Sequence, residues 1–540
     1  MTRSITRRSA LALIVGSAAV AACAPPAAPA PTRPPQQPTS GSTPASAAAA
    51  TQKPAANQPR AGGTLRMGLA SEPANVDGHT RTPGAAESVW LAFDRLTQYD
   101  DKLKAQPALA ESWDLASDYT SIKLNLRKGV TWHSGREFTS EDVKWNFLRV
   151  RDPKVAASTL GSYSAWFTTI ETPDKNTVIL KSEQPRPTMF DAFELFNMLD
   201  PQVMEGPDAK SRAPGTGAFV LEEWAQGNHM TFVKNKNYWQ SGKPYLDGIT
   251  VRMFRGDQPA MAELESGSID AMRMDSPRDV ARLKVDPKYS VWEHPNPGTL
   301  FELAFNVTVP PFDNKKVRQA FNYAFDRKRF TEQIYLGTAI PSALPWSASS
   351  PGYDPEKAKA YAFDLDKARA LLNEAGVTSL ELDIIGISNA YPLVETFMQA
   401  YQADLAKLNI KLNIKTMEAA QWLDQANNAK YNGMYYSGDN NAHVNPATLW
   451  SGSPGWRPLP KNNSGWDNQR WKDYVARLSV ETDGTRQKTL IAEMNDFVLD
   501  ESWVFPISSQ PSILMSTSKL HGVVPTMHNG YYYDNAWFGV

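Results

Sequence analysis

Nucleophiles and metal ligands are scarce in this chain of 540 residues, which holds one cysteine and seven histidines. Ser516 and Lys519 form an S-x-x-K pair, the spacing at which a lysine can take the proton of a serine that attacks an acyl group. Four-residue patterns of this kind arise by chance, and "STSK" has none of the downstream partners such enzymes use. No H-E-x-x-H, G-x-S-x-G or G-x-x-x-x-G-K-[ST] occurs. "GTGAF", with Gly215 and Gly217, lacks the third glycine of a dinucleotide-binding turn and predicts a tight turn before a strand. No two histidines stand at ligand spacing, and a single thiol forms neither an intrachain disulfide nor a multi-cysteine cage. Neither a metal nor a cofactor is expected, and a hydrolase built on Ser516 stands only as the alternative from another class.

The one thiol, Cys23, ends an apolar run. Arg3, Arg7 and Arg8 precede a stretch from Ala10 to Ala22 with the composition of a signal peptide, assigned to residues 1–22. At about 1.5 Å per residue the run is too short for a bilayer core of roughly 30 Å. "VAAC" resembles the lipobox of bacterial lipoproteins, in which the cysteine is lipidated and becomes the first residue of the mature chain. The alternative is an ordinary signal peptide with an incidental cysteine. "TRRSAL" resembles a twin-arginine export motif, and general secretion fits the basic region equally. Residues 24–60 contain no aromatic residue and no Leu, Ile or Val, so nothing there drives burial. With Cys23, this stretch predicts a proline-stiffened tether on a lipid anchor.

Over the whole chain, 41% hydrophobic and 21% charged residues describe a protein able to bury a large core, and the length suits about three units. A formal net charge of −1 supplies no field for nucleic acid, so no nucleic-acid partner is expected. Alternation predicts strands at "GGTLRMGLA" (Leu65, Met67, Leu69), "SIKLNLRKG" (Ile122, Leu124, Leu126) and "GITVRMF" (Ile249, Val251, Met253). "FTSEDVKWNFLRV" predicts a helix with Thr139 as N-cap and Asp142 closing a capping box. "FDNKKVRQAFNYAFDR" sets Val317, Ala320, Phe321 and Ala324 on one helical face. From residue 360 a helix carries Ala368, Leu371, Leu372 and Ala375 and stops at Gly376. "SLELDIIG", a helix through Val394, Phe397, Tyr401, Leu405 and Leu408, and "IKLNIKT" then follow. Strand, helix, strand calls for a right-handed crossover and an α/β lobe.

The blocks "LTQYDDKLKAQPALAESWDLASDYTSIKLNLRKGVTWHSGREFTSEDVKWNF", "PGTGAFVLEEWAQGNHMTFVKNKNYW", "ELESGSIDA" and "FNVTVPPFDNKKVRQAFNYAFDRKRF" together resemble, in order, those of family 5 extracellular solute-binding proteins. These are the receptors of ATP-binding cassette importers for oligopeptides, dipeptides and nickel, with some oligosaccharide binders. The resemblance spans roughly residues 61 to 540. It implies a periplasmic-binding-protein-like fold of type II: two α/β lobes joined by two hinge strands, with an α+β domain inserted in the first. Lobe I would take residues 61–105, 213–303 and 508–540, the inserted domain 106–212 and lobe II 304–507, with hinges near "FELAFN" and "FPISSQ". It further implies an exported monomer on the outer face of the cytoplasmic membrane or in the periplasm. Such a monomer closes on a small ligand, most readily a peptide, and passes it to membrane permease subunits without chemistry. An oligosaccharide or nickel-complex receptor is the alternative within the family.

For the ligand site, "MYYSGDNNAHVNP" resembles the family block in which an aromatic residue is followed, three positions on, by an aspartate that holds a peptide's α-ammonium group. Those positions are Tyr436 and Asp439, with Tyr435 beside them. A carboxylate facing an ammonium forms a charge-assisted hydrogen bond, and a neighbouring ring screens it from water. The alternative is a solvated aspartate capping the turn at "DNN". Asn440 and Asn441 replace the aromatic residue and Pro-containing turn of peptide binders, and their amides suit sugar hydroxyls as well as peptide backbone. Trp166, Trp422 and Trp450 are candidate stacking platforms, with core packing as the alternative. Ser508 and Gln510 lie at the second expected hinge. His79 follows the first strand, either at the cleft or on the surface.

Overall fold

A computed structural model of the chain describes residues 58–539, apart from 71, 81–84, 101, 156, 208, 210–211, 295–298, 388–391, 440–444, 459–461 and 527–529. The signal peptide, Cys23 and nearly all of the tether lie outside the described residues, as does Asn440.

The expected strands form. Leu65 and Met67 point from Thr64–Leu69 into a core shared with Phe232, Ile249 and Val251, and that strand runs parallel to Gly248–Met253. Their seven-stranded sheet has the order Tyr289–Glu293, Ile513–Thr517, Ala271–Arg273, Thr64–Leu69, Gly248–Met253, His229–Lys234, Phe219–Ala225. The "GTGAF" turn leads into its last strand because Gly215 and Gly217 press on the main chain at Ala92. A Cβ on Gly215 would lie 1.8 Å from the Ala92 carbonyl oxygen.

A second sheet orders Ala110–Leu115, Ser121–Leu126, Thr177–Lys181 and Thr169–Asp174, all antiparallel. Helix Ser140–Arg149 touches its Thr169–Asp174 and Thr177–Lys181 strands. The predicted capping box is present, the Thr139 N–H donating to the Asp142 carboxylate at 2.8 Å.

The third sheet has six strands in the order Ile340–Pro341, Val504–Gln510, Thr299–Phe305, Gly433–Asp439, Leu380–Ile387, Ile410–Met417. Leu380–Ile387 and Ile410–Met417 run parallel, joined through helix Pro392–Ala406, as the strand, helix, strand pattern requires. Helix Leu365–Glu374 ends where Gly376 adopts φ +74°, a left-handed conformation that glycine enters without strain. Val317, Ala320, Phe321 and Ala324 are all buried, as the stripe predicted.

Seven of the 16 tryptophans, Trp346, Trp422, Trp450, Trp456, Trp466, Trp471 and Trp503, share one buried cluster on this sheet, so these seven serve packing. Trp466 stacks on Trp503 at 3.9 Å between ring centres, and Trp450 meets Trp346 and Trp471 edge to face. Among the described residues no helix is long and apolar enough to cross a membrane.

Candidate ligand-binding site

Two strands from distant parts of the chain flank Thr299–Phe305, every residue of which is buried. On one side Leu300 pairs with Asp439 and Phe301 with Gly438. On the other, Thr299 pairs with Gln510, Leu300 with Ser509 and Phe301 with Ser508. The register therefore brings Asp439, Ser508 and Gln510 to one end of the sheet, each one strand spacing, about 4.8 Å, from the central strand. The Asp439 backbone belongs to its strand, and its side chain lies outside the described residues. Ser508 is fully buried and, among the described residues, its hydroxyl has no hydrogen-bond partner, whereas Gln510 is partly exposed. A buried hydroxyl without a partner is costly unless a ligand or water completes it.

The pleat sends the two tyrosines to opposite faces. Tyr436 points with Leu303 and Phe305 into a phenylalanine-rich core, and its hydroxyl donates to the Ile387 carbonyl at 3.1 Å. Its ring lies over Gly386, where a Cβ would come within 1.6 Å of it. Tyr435 enters the tryptophan cluster, edge to face with Trp422 at 5.8 Å and with Tyr431 at 5.6 Å. Trp422 and Trp450 are enclosed there, their indole N–H groups without a partner among the described residues. Trp166 stands apart, half-buried beside the four-stranded sheet, tilted against Tyr163 at 4.9 Å with the Arg186 guanidinium 5.4 Å above it.

His79 does not occupy the surface position that was one of its two expected placements; it is 1% exposed. Its Nε2–H donates to the Asn197 carbonyl at 3.1 Å, which leaves Nδ1 to accept from Arg149 at 2.8 Å. Burial lowers its pKa to about 4, and the ring stays neutral at physiological pH. The Ser516 hydroxyl is likewise engaged: it accepts from Trp292 Nε1 at 2.8 Å and donates to the Thr517 carbonyl at 3.1 Å, inside a buried strand. It is not poised as a nucleophile.

Sequence reasoning passed over buried carboxylates. Glu302 sits mid-strand in "LFELAF", 2% exposed, and accepts from Trp456 Nε1 at 2.7 Å. Asp191 and Glu194 lie in "MFDAFEL", a helix Met189–Leu195 buried on nearly every side. Tyr99 donates to Asp191 through its hydroxyl and to Glu194 through its N–H, both at 2.7 Å. Burial raises the Asp191 carboxyl to about 6, and raises Glu194 to about 7 although Arg95 stands 3.3 Å away. An acidic residue inside an otherwise apolar element was the available signal, since burial of a carboxylate needs donors brought to it.

With this geometry in hand, the likeness to known proteins is specific. The family described as bacterial extracellular solute-binding proteins, family 5 Middle, matches residues 104–456. Heme-binding protein A of Haemophilus influenzae is 30% identical over 411 residues, covering 70% of this chain and 74% of that one. The glutathione-binding protein GsiB of Shigella dysenteriae is 27% identical over 462 residues, 82% of this chain and 88% of that one. The periplasmic binding protein DppA of Helicobacter pylori, solved in complex with the peptide STSA, superposes with a TM-score of 0.77 at 23% identity, covering 89% of this chain and 99% of that one. The chain belongs to the family 5 extracellular solute-binding proteins. Its work is to capture a small ligand and present it to the membrane partners of an ATP-binding cassette importer.

Proposed function

We propose that the ligand is a peptide, held between two lobes that close on it, and that the receptor is tethered to the outer face of the membrane through lipid on Cys23. Lobe I comprises residues 61–105, 213–303 and 508–540, lobe II residues 304–507, and residues 106–212 form an inserted domain. Thr299–Phe305 and Val504–Gln510 are the two hinge strands, a paired antiparallel unit. One observation carries the reading: Asp439 and the Ser508–Gln510 segment, far apart in sequence, reach the same end of this pair, Asp439 and Ser509 both opposite Leu300, and Ser508 and Gln510 at the alternate positions opposite Phe301 and Thr299. The Asp439 carboxylate takes the peptide's α-ammonium group, the Ser508 hydroxyl and Gln510 amide take backbone groups, and Asn440 supplies a further amide. A peptide-bound relative of the same fold supports the choice of ligand.

Cys23→Ala tests the arrangement as a whole. The variant is expected to leave the membrane fraction while keeping its peptide affinity, because the tether separates anchor from cleft. Wild-type protein that is exported yet soluble, with no lipid mass on its first mature residue, contradicts the anchor. Loss of affinity together with the anchor contradicts the separation.

A further inference from the structure

Helix Pro446–Gly452, which follows the Asp439 strand in sequence, is held from two sides. Ala447, Leu449 and Trp450 bury themselves in the tryptophan cluster. Thr448, 2% exposed, instead donates its hydroxyl to the Asp191 carboxylate of the Met189–Leu195 helix. Asp191 also accepts from the backbone N–H of Asn445, the N-cap of the same helix, and from the Tyr99 hydroxyl at 2.7 Å. At the other end, the Tyr163 hydroxyl stands over Gly452, 3.5 Å from where a Cβ would be. Asp191, itself bonded by Tyr99, and Tyr163 thus meet an element from a distant part of the chain.

The kind of contact matters. Separating an apolar seam exposes surface at a cost proportional to its area. A carboxylate that trades a hydroxyl and an amide for water loses little net free energy, so such a contact can be made and broken repeatedly. The Tyr99 hydroxyl bonds Asp191 independently of the helix and so fixes the orientation of the carboxylate.

We propose that Asp191 is the catch of the receptor, gripping Thr448 and the Asn445 N–H to hold the lobes shut and releasing them when the lobes part. This rests on the two-lobe reading above and names a residue that sets its closing equilibrium. Among the described residues, the charged and titratable groups facing Asp191 are Tyr99 and, from its own helix, Glu194, with Arg95 and Tyr532 beyond Glu194. The captured helix contributes only the uncharged Thr448 and Asn445. Burial in the shut form raises the Asp191 carboxyl to about 6, and exposure on opening returns it toward the usual carboxylate range. The shut form therefore binds the proton more tightly. Its advantage is full below about pH 4 and is lost as the pH rises through about 6.

Hydrogen exchange at the backbone amides of residues 445–452, in the full chain without ligand, reads the catch. Exchange is expected to rise about tenfold in Thr448→Val, which removes the donor, and in Asp191→Ala, which removes both acceptor oxygens; Asp191→Asn keeps an acceptor and serves as the form that does not titrate. Exchange returns to the wild-type rate in Thr448→Ser, with the amides of helix Gly484–Glu501 unmoved throughout. Corrected for intrinsic rates, the wild type slows between pH 7 and pH 5, and Asp191→Asn does not. Unchanged exchange in Thr448→Val, or Thr448→Ser exchanging as fast as Thr448→Val, overturns the proposal. The Thr448 pair carries the test if the Asp191 variants do not fold. A failure of the peptide reading would show in ligand titrations and leave these rates as they are.

Discussion

Replacing Asp439 by asparagine is expected to weaken peptide binding by about 2 to 5 kcal/mol, a loss of roughly thirty- to several-thousandfold in affinity. The change keeps the shape and removes the charge, so the cost arises from leaving a buried ammonium group without its counter-ion. The same logic fixes the response to the ligand's chemistry. N-acetylation of the peptide should weaken binding to the wild type far more than to Asp439→Asn, because both changes delete one interaction and their effects do not add. Titration calorimetry of the four combinations measures the coupling. Equal losses on acetylation in both proteins would remove Asp439 from the amino-terminal role.

Gly215→Ala is expected to destabilise the fold by about 3 kcal/mol or more, the upper range for overpacking, because the clash is with main chain. The added Cβ would lie 1.8 Å from the Ala92 carbonyl oxygen and 2.7 Å from its carbon, and neither atom can rotate away as a side chain could. The turn is also tied on both sides: Gly215 N–H donates to the Ala213 carbonyl, and His133 N–H donates to Gly215 at 2.9 Å. Gly484 is the control, since a Cβ there meets nothing within 4 Å. Thermal unfolding should show Gly484→Ala melting with the wild type and Gly215→Ala well below it. Coincident melting of all three would show that the close approach is not a constraint.

The elements that reveal themselves in sequence here do so through periodicity. Leu65 and Met67, the Val317 to Ala324 stripe and the helix closed by Gly376 each satisfy a local rule, alternation, 3.6-residue spacing or a left-handed cap, and each forms as expected. The Thr139 and Asp142 capping box is legible for the same reason. Pairing across long separations is not. Nothing local in "FPISSQ" states that Ser508 lies against Phe301, or that the same strand is shared with Asp439.

Burial of polar groups is harder still to read. His79 had two expected placements, cleft or surface, and its enclosure depends on Asn197 and Arg149, whose approach no spacing near His79 foretells. Glu302, Asp191 and Glu194 look like ordinary surface acids by composition. Only their apolar neighbours hint at burial, and the donors that make it tolerable, Trp456, Tyr99 and Thr448, come from elsewhere in the chain. Tryptophan count is ambiguous in the same way, because stacking platforms and core residues share a composition and differ only in what surrounds them.

The central claim, a receptor whose ligand is a peptide, is tested most directly by a melting-shift screen of the purified chain against short peptides, their N-acetylated forms and neutral oligosaccharides. A ligand at a hundred times its dissociation constant stabilises by about 2.7 kcal/mol, so a true ligand stands clear of the background. The expected result is an upward shift with free-amine peptides, a smaller one with their acetylated forms and none with the sugars. A shift with a neutral oligosaccharide and with no peptide would contradict it.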